Sequence, residues 1–298
     1  MQNKTIRRKI RDKIEDWAAS IEDDNVRAII RKDAIVTGGS IASMIMGERV
    51  NDYDVYMRTK ESAIAVGKYY ADVFTKSNPD YDITVEVKEQ QNILGQTETR
   101  VYMKVGSVGF ANDEEFNIRE SEDDESEQSE ENDELQSEKG MYVPAFISDN
   151  AITLTNKIQV IARFYGEPSD IHRSYDFVHA KCYYDYHNDV LDTPVESLRS
   201  MQSRVLKYEG SLYPICSLFR MRKFINRGWK ISAGEILKIS LQVNAIKDLL
   251  TVDTLRDQLV GCDALYFNKL IWAIESNSNT EITHNYVSAI VDRIFNDE

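Results

Sequence analysis

The chain has 298 residues, 42% of them hydrophobic and 10% aromatic, enough to bury a substantial core. Its formal charge of −14 is concentrated: residues 113–138 hold fourteen acidic side chains against one arginine, so almost all of the excess lies there and the remainder is close to neutral. The overall acidity therefore does not exclude a nucleic-acid partner, whereas the lack of an apolar run near ~18 residues excludes a helical membrane span.

In chain order, Ile6, Ile10, Ile14 and Trp17 recur at helical spacing, and "NVRAIIRK" predicts a second short helix. The polar opening "MQNKTIRRKIRDK" has no signal-peptide core, and Cys182, Cys216 and Cys262 show no metal-clip spacing. Together these predict unpaired thiols in a cytoplasmic protein. "AIVTGG" reads as a buried strand ending at glycines, "SIASMIMGE" as a helix with Ser40 suited to its N-cap, and "DYDVYM" as a strand. An amphipathic helix over "KESAIAVGKYYADVFTKS" precedes two neighbouring strands, "YDITVEVKE" and "TRVYMKVGSVGF". Residues 112–140 have almost nothing to bury and predict a disordered acidic insertion, a solvated spacer or an arm for a basic partner. Order resumes in "MYVPAFISDNAITLT" and "NKIQVIARFYGEP", "SYDFVHAKCYYDY" reads as a strand, and helical periodicity holds from about Pro194 to the end. The expected architecture is an α/β (α+β) domain with a mixed sheet over 1–190, interrupted at 112–140, and an all-helical domain over 191–298.

The stretch "TGGSIASMIMGERVNDYDVYM", residues 37–57, concentrates the chemistry. A strand that ends at Gly38 and Gly39 and turns into a helix at Ser40 leaves backbone N–H groups unpaired at the helix start. Without side chains, the glycines let a phosphate approach, and the helix dipole favours its charge. Asp52 and Asp54, at i and i+2 on a strand, share a face and repel unless a cation lies between them. Hard ions such as Mg²⁺ take oxygen ligands of this kind. The Gly-Lys-Ser/Thr ending of a P-loop is absent, and the histidines form no cluster.

Gly38-Gly39-Ser40, eleven residues, then Asp52-Tyr53-Asp54 resembles the signature of the polymerase-β-type nucleotidyltransferases, a family that includes tRNA nucleotidyltransferases, poly(A) polymerases and small bacterial and phage enzymes. The resemblance implies transfer of a nucleoside monophosphate from ATP or another NTP to an acceptor hydroxyl, on an RNA end first and otherwise on a protein or nucleotide, with release of pyrophosphate. It implies that Asp52 and Asp54 bind Mg²⁺ (or Mn²⁺) and that Gly38, Gly39 and Ser40 hold the phosphates. It also implies a third metal-binding carboxylate from a later strand. Asp176 in "SYDFVHA" and Glu86 in "TVEVK" are the candidates, with Asp176 preferred for its apolar flanks. Arg220 and Lys223, three apart on a predicted helix, share a face suited to phosphates. A non-catalytic nucleic-acid- or protein-binding module on the same fold is the alternative.

Overall fold

The computed structural model describes residues 2–80, 82–92, 95–105, 142–148, 150–258 and 283–296. The expected acidic insertion at 112–140 and residues 259–282 of the expected helical region lie outside the described residues.

Helix α1 (Asn3–Ser20) buries Ile6, Ile10, Ile14 and Trp17 completely. Each such side chain contributes about 1.5–3 kcal/mol when withdrawn from water. The Trp17 Nε1–H finds a partner in the Tyr70 hydroxyl at 2.6 Å, so its burial leaves no polar atom unpaired. Asp23 caps α2 (Asp24–Asp33) by accepting from the Asn25 and Val26 amides. Strand β1 (Ala34–Thr37), fully buried as its apolar run predicts, leads into α3 (Gly39–Met46) and then β2 (Tyr53–Met57). The N-cap of α3 is Gly38, so Ser40 sits inside the first turn and is not the cap expected from its hydroxyl.

Helix α4 (Lys60–Ser77) is followed by the antiparallel hairpin β3 (Ile83–Gln91) and β4 (Thr97–Val105), which forms its own sheet. Strands β5 (Pro144–Ile147), β6 (Ala151–Leu154) and β7 (Ile158–Tyr165) precede the single turn α5 (Pro168–Ile171). Strands β8 (Tyr183–Asp185) and β9 (Val190–Asp192) complete a seven-stranded sheet of order β5-β6-β7-β2-β1-β8-β9. The β2–β7 pair is parallel and the other pairs are antiparallel, so the expected mixed sheet is present.

Register fixes what each face of this sheet carries. Ile152, Val160, Val55, Val36 and Tyr184 form one transverse row and are all at most 2% exposed. They belong to the main core with the buried faces of α1 and α4. The adjacent row, Thr153, Gln159, Asp54, Thr37 and Tyr183, occupies the opposite face because successive residues of a strand alternate. A smaller apolar cluster around Ile35, Tyr56 and Ile171 covers part of that second face.

From Val195 the described residues form α6 (Val195–Ser203), α7 (Pro214–Asn226), α8 (Ala233–Asn244), α9 (Val252–Gln258) and α10 (His284–Asn296). Two short strands, β10 (Val205–Leu206) and β11 (Lys230–Ile231), pair in parallel between them, a departure from the all-helical expectation. A polar clasp ties the hairpin to this region: Asp257 accepts from Arg163 at 2.9 Å and from Arg100 at 3.2 Å. Both guanidiniums lie within 6 Å of the Tyr213 ring. Arg163 is committed to this clasp. Cys182 is a buried free thiol, whereas Cys216 is disulfide-bonded, contrary to the expectation of unpaired thiols. No helix among the described residues is long and apolar enough to cross a membrane.

Candidate functional site

The site forms where β1 ends and α3 begins. Gly38 has φ +97°, a conformation that residues with a Cβ rarely adopt. A Cβ placed there would stand 2.9 Å from Asp54 Oδ2 and 3.3 Å from the Tyr175 hydroxyl. The glycine is therefore required twice, by its backbone and by the carboxylate lying against it. Asp54 arrives at this corner because Thr37, the last residue of β1, pairs with it in register.

No side chain caps the start of α3, so its leading amides keep their capacity to bind an anion. The Ser40 Oγ is buried and has no hydrogen-bond partner. An unpaired buried hydroxyl costs about 1–3 kcal/mol, and a phosphate oxygen would satisfy it.

Asp52 is exposed and immediately precedes β2, so the strand carries only the second member of the expected pair. The two carboxylates still interact. Burial, then repulsion from Asp52, pushes the Asp54 carboxyl up to about 7, with the Arg220 guanidinium acting in the opposite direction. The same face adds two tyrosines: the Tyr175 hydroxyl donates to the Tyr56 hydroxyl at 3.1 Å. Both phenols are held above their ordinary range, chiefly by burial. Thr37 Oγ1 lies 2.8 Å from His172 Nε2 and donates to the Cys182 carbonyl at 2.8 Å, which fixes the strand end beneath the site.

Asp176 is not on a strand. It lies between two 3₁₀ turns, His172–Ser174 and Val178–Ala180. The apolar flanks that suggested a strand instead bury Phe177 against Tyr208 and Phe224, and only an isolated bridge, Phe177 with Tyr208, forms. Both carboxylate oxygens of Asp176 are engaged: Oδ1 accepts from the Phe177 amide at 2.9 Å and Oδ2 from Arg220 at 2.7 Å. Glu86 is on the separate hairpin, where Lys88 and Lys104 hold its carboxyl below the ordinary range. Arg220, on α7, reaches the site through Asp176 and its field at Asp54, while Lys223 on the same helix is exposed. Arg173 pairs with Asp170.

Among the described residues no group of three or more histidine, cysteine, aspartate or glutamate side chains is arranged to hold a metal ion. Two carboxylates that repel across a corner lined by helix amides fit one hard cation shared with phosphate oxygens, since Mg²⁺ is commonly held by one or two carboxylates plus substrate phosphates. The third expected acid, Asp176, is paired with the Arg220 guanidinium. Sequence reasoning missed Tyr56, although its i+2 spacing from Asp54 places it on the same face. It also missed Gln159, which only the sheet register brings beside Asp54.

Fold and site together define a mixed α/β protein that presents Asp54 against a glycine-led helix start, with the charge of Asp52 acting on it. The chain belongs to the Gabija anti-defense 2 family, whose family model matches residues 8–204. It is 19% identical over 255 residues to Gabija anti-defense 2 of Bacillus phage SPbetaL7, covering 85% of this chain and 47% of that protein. The chain thus spans about half the length of the curated relative it matches. Among solved structures it is similar to the Bacillus stearothermophilus CCA-adding enzyme in complex with CTP, at 11% identity, TM-score 0.36 and coverage of 84% and 51% of the two chains. The Thermotoga maritima CCA-adding enzyme complexed with tRNA matches at 10% identity, TM-score 0.34 and coverage of 94% and 67%.

Proposed function

We propose that this chain is a phage counter-defence protein, acting in the host cytoplasm, that binds a nucleoside triphosphate with a divalent ion and transfers the nucleoside monophosphate to an acceptor hydroxyl, breaking the α–β phosphoanhydride and releasing pyrophosphate. The observation that carries the reading is the contact between the Asp54 carboxylate and Gly38 at the uncapped start of α3. Mg²⁺, when bound, supplies the positive charge that offsets the triphosphate and polarises the phosphoryl oxygens.

The protein's own residues do the rest. The amides of Gly39 and Ser40 and the unpaired Ser40 hydroxyl grip the outer phosphates. Asp52 and Asp54 are the residues that would hold the ion. Arg220, anchored by Asp176, places a fixed positive charge beside the reacting group. Lys223, exposed on the same helix, meets the phosphate backbone of the acceptor, with an RNA end the first class of acceptor and a protein side chain the second. The direct counter-defence step is modification of a component on which the Gabija system depends.

The test is incubation of the full chain with each α-labelled NTP, Mg²⁺ or Mn²⁺, and separately total RNA and total protein from the host. Label in one pool, lost in Asp54→Asn, supports transfer. Nucleotide binding without label in either pool would favour the binding-module alternative.

A further inference from the structure

We infer that Lys9, Lys13 and Lys157 form a second anion site, on the face of the sheet opposite Asp54, that takes the phosphate group of a phosphorylated ligand. The inference stands apart from the proposed nucleotide site and does not depend on it.

A cavity of about 400 Å³ opens between α1 and the start of β2, and the three lysines line it together with Tyr53, Asp12 and Asp16. Its volume falls within the range of small-molecule sites. Tyr53 and Asp54 are consecutive on β2, so their side chains leave opposite faces of the sheet. Tyr53 packs against the main core, which also holds the buried face of α1, so the cavity lies behind the strand end that carries Asp54. Lys9 and Lys13, four apart on α1, share a helix face. Lys157 is brought to the same place by the backbone, for its carbonyl accepts from the Tyr53 amide at 2.8 Å.

These amines lack a counter-charge. Among the described residues none of the three is in an ion pair, although Asp12 and Asp16 line the same cavity. The half-buried Lys13 ammonium instead meets two rings, 5.2 Å from the Tyr142 centroid and 5.9 Å from that of Tyr53. Neutral rings attract a cation through their quadrupole but cancel none of its charge. Burial holds the Lys13 amine below its ordinary range, opposed by Asp16 and reinforced by Lys157. In the turn joining β6 to β7, Asn156 and Lys157 both have a φ of 61°. Glycine and asparagine suit that conformation, whereas lysine adopts it at a cost in backbone energy. What lysine adds there is a third amine at the cavity. Three amines exceed what one carboxylate needs, and they match the charge and the several acceptor oxygens of a phosphate.

The experiment titrates the full-length chain, in EDTA and at low salt, with AMP, with adenosine and with a short single-stranded RNA. Binding of AMP or RNA is expected, with none of adenosine. AMP binding identifies a free phosphomonoester as sufficient, and binding of RNA alone identifies the phosphodiester of a strand. Lys157→Gly suits the φ of 61° and removes one amine, so it should melt at or above the wild-type temperature. It should also bind at least about tenfold more weakly, with a shallower salt dependence. Lys9→Gln, at an exposed position, should weaken binding in the same direction, while Asp54→Asn should leave it unchanged. No binding of AMP or RNA to the wild type, or equal binding by both lysine variants, would overturn the inference. Loss of binding in Asp54→Asn would overturn it as well, by moving the anion to the nucleotide corner. A polyglutamate peptide that binds as tightly as the phosphorylated probes would replace phosphate with an acidic protein segment as the ligand.

Discussion

Asp54 rests on Gly38: Oδ2 lies 2.9 Å from where a Cβ on that glycine would stand. Gly38→Ala therefore meets both a carboxylate and a φ of +97°. A loss of about 1–3 kcal/mol in stability is expected, together with weakened nucleotide binding. A Cβ at Gly39 meets nothing within 4 Å. Gly39→Ala should keep the wild-type melting temperature or exceed it, since alanine favours the helix by ~1 kcal/mol. Thermal denaturation of the two variants side by side checks the contrast; equal losses would contradict the geometry.

The Asp54 carboxyl, raised to about 7, should make the metal-free protein more stable in acid. The folded chain holds this proton more tightly than the unfolded chain, whose carboxyl titrates near 4. Its contribution is thus fully present below about pH 4 and is lost as pH rises through about 7. Asp54→Asn should remove that loss, giving a gain of at least about 1 kcal/mol at pH 8 that vanishes near pH 4. Chemical denaturation across that range in EDTA measures it, and a gain independent of pH would contradict the assignment.

His172 and His179 titrate in the opposite sense. Burial holds both imidazoles down at about 4, below the 6.5 of an exposed histidine. Their stabilising contribution is present above about pH 6.5 and is lost as pH falls through about 4. Replacing His172 with Gln should flatten the acid limb of the stability curve. The Gln amide reaches the place of Nε2, so the hydrogen bond to Thr37 is kept while the titration is lost.

Asp176 and Arg220 form a partly buried pair, 7% and 33% exposed at their side chains. Arg220→Met leaves an acid without its guanidinium and should cost about 3 kcal/mol, whereas Arg220→Met with Asp176→Leu should recover much of the loss. The double-mutant cycle reads the coupling directly. A near-zero coupling energy would show that the contact contributes little.

Much of this fold was legible in the sequence because its signals are local. The run of four buried residues in β1, the α1 stripe and the strand after Asp52 all followed from apolar periodicity. So did the pairing of β3 with β4. What escaped depends on tertiary partners. "SYDFVHA" has strand-like composition, yet its aromatics serve a packing contact with Tyr208 and Phe224 and leave Asp176 in a loop. Arg220 was expected to meet phosphate through its helix face, but its first partner is an acid 44 positions earlier, a contact no helical spacing encodes. Gln159 comes beside Asp54 through a parallel pairing across about a hundred residues, visible only as register.

The central claim is that the corner between Gly38 and Asp54 binds a nucleoside triphosphate together with a divalent ion. Calorimetric titration of the full chain with a non-hydrolysable NTP, in Mg²⁺ and in EDTA, tests it most directly. Saturable binding in Mg²⁺, weakened at least about tenfold by EDTA and by Asp54→Asn, a loss of ~1.4 kcal/mol, is the predicted result. Binding of equal strength in all three conditions would contradict the claim, as would no binding to the wild type.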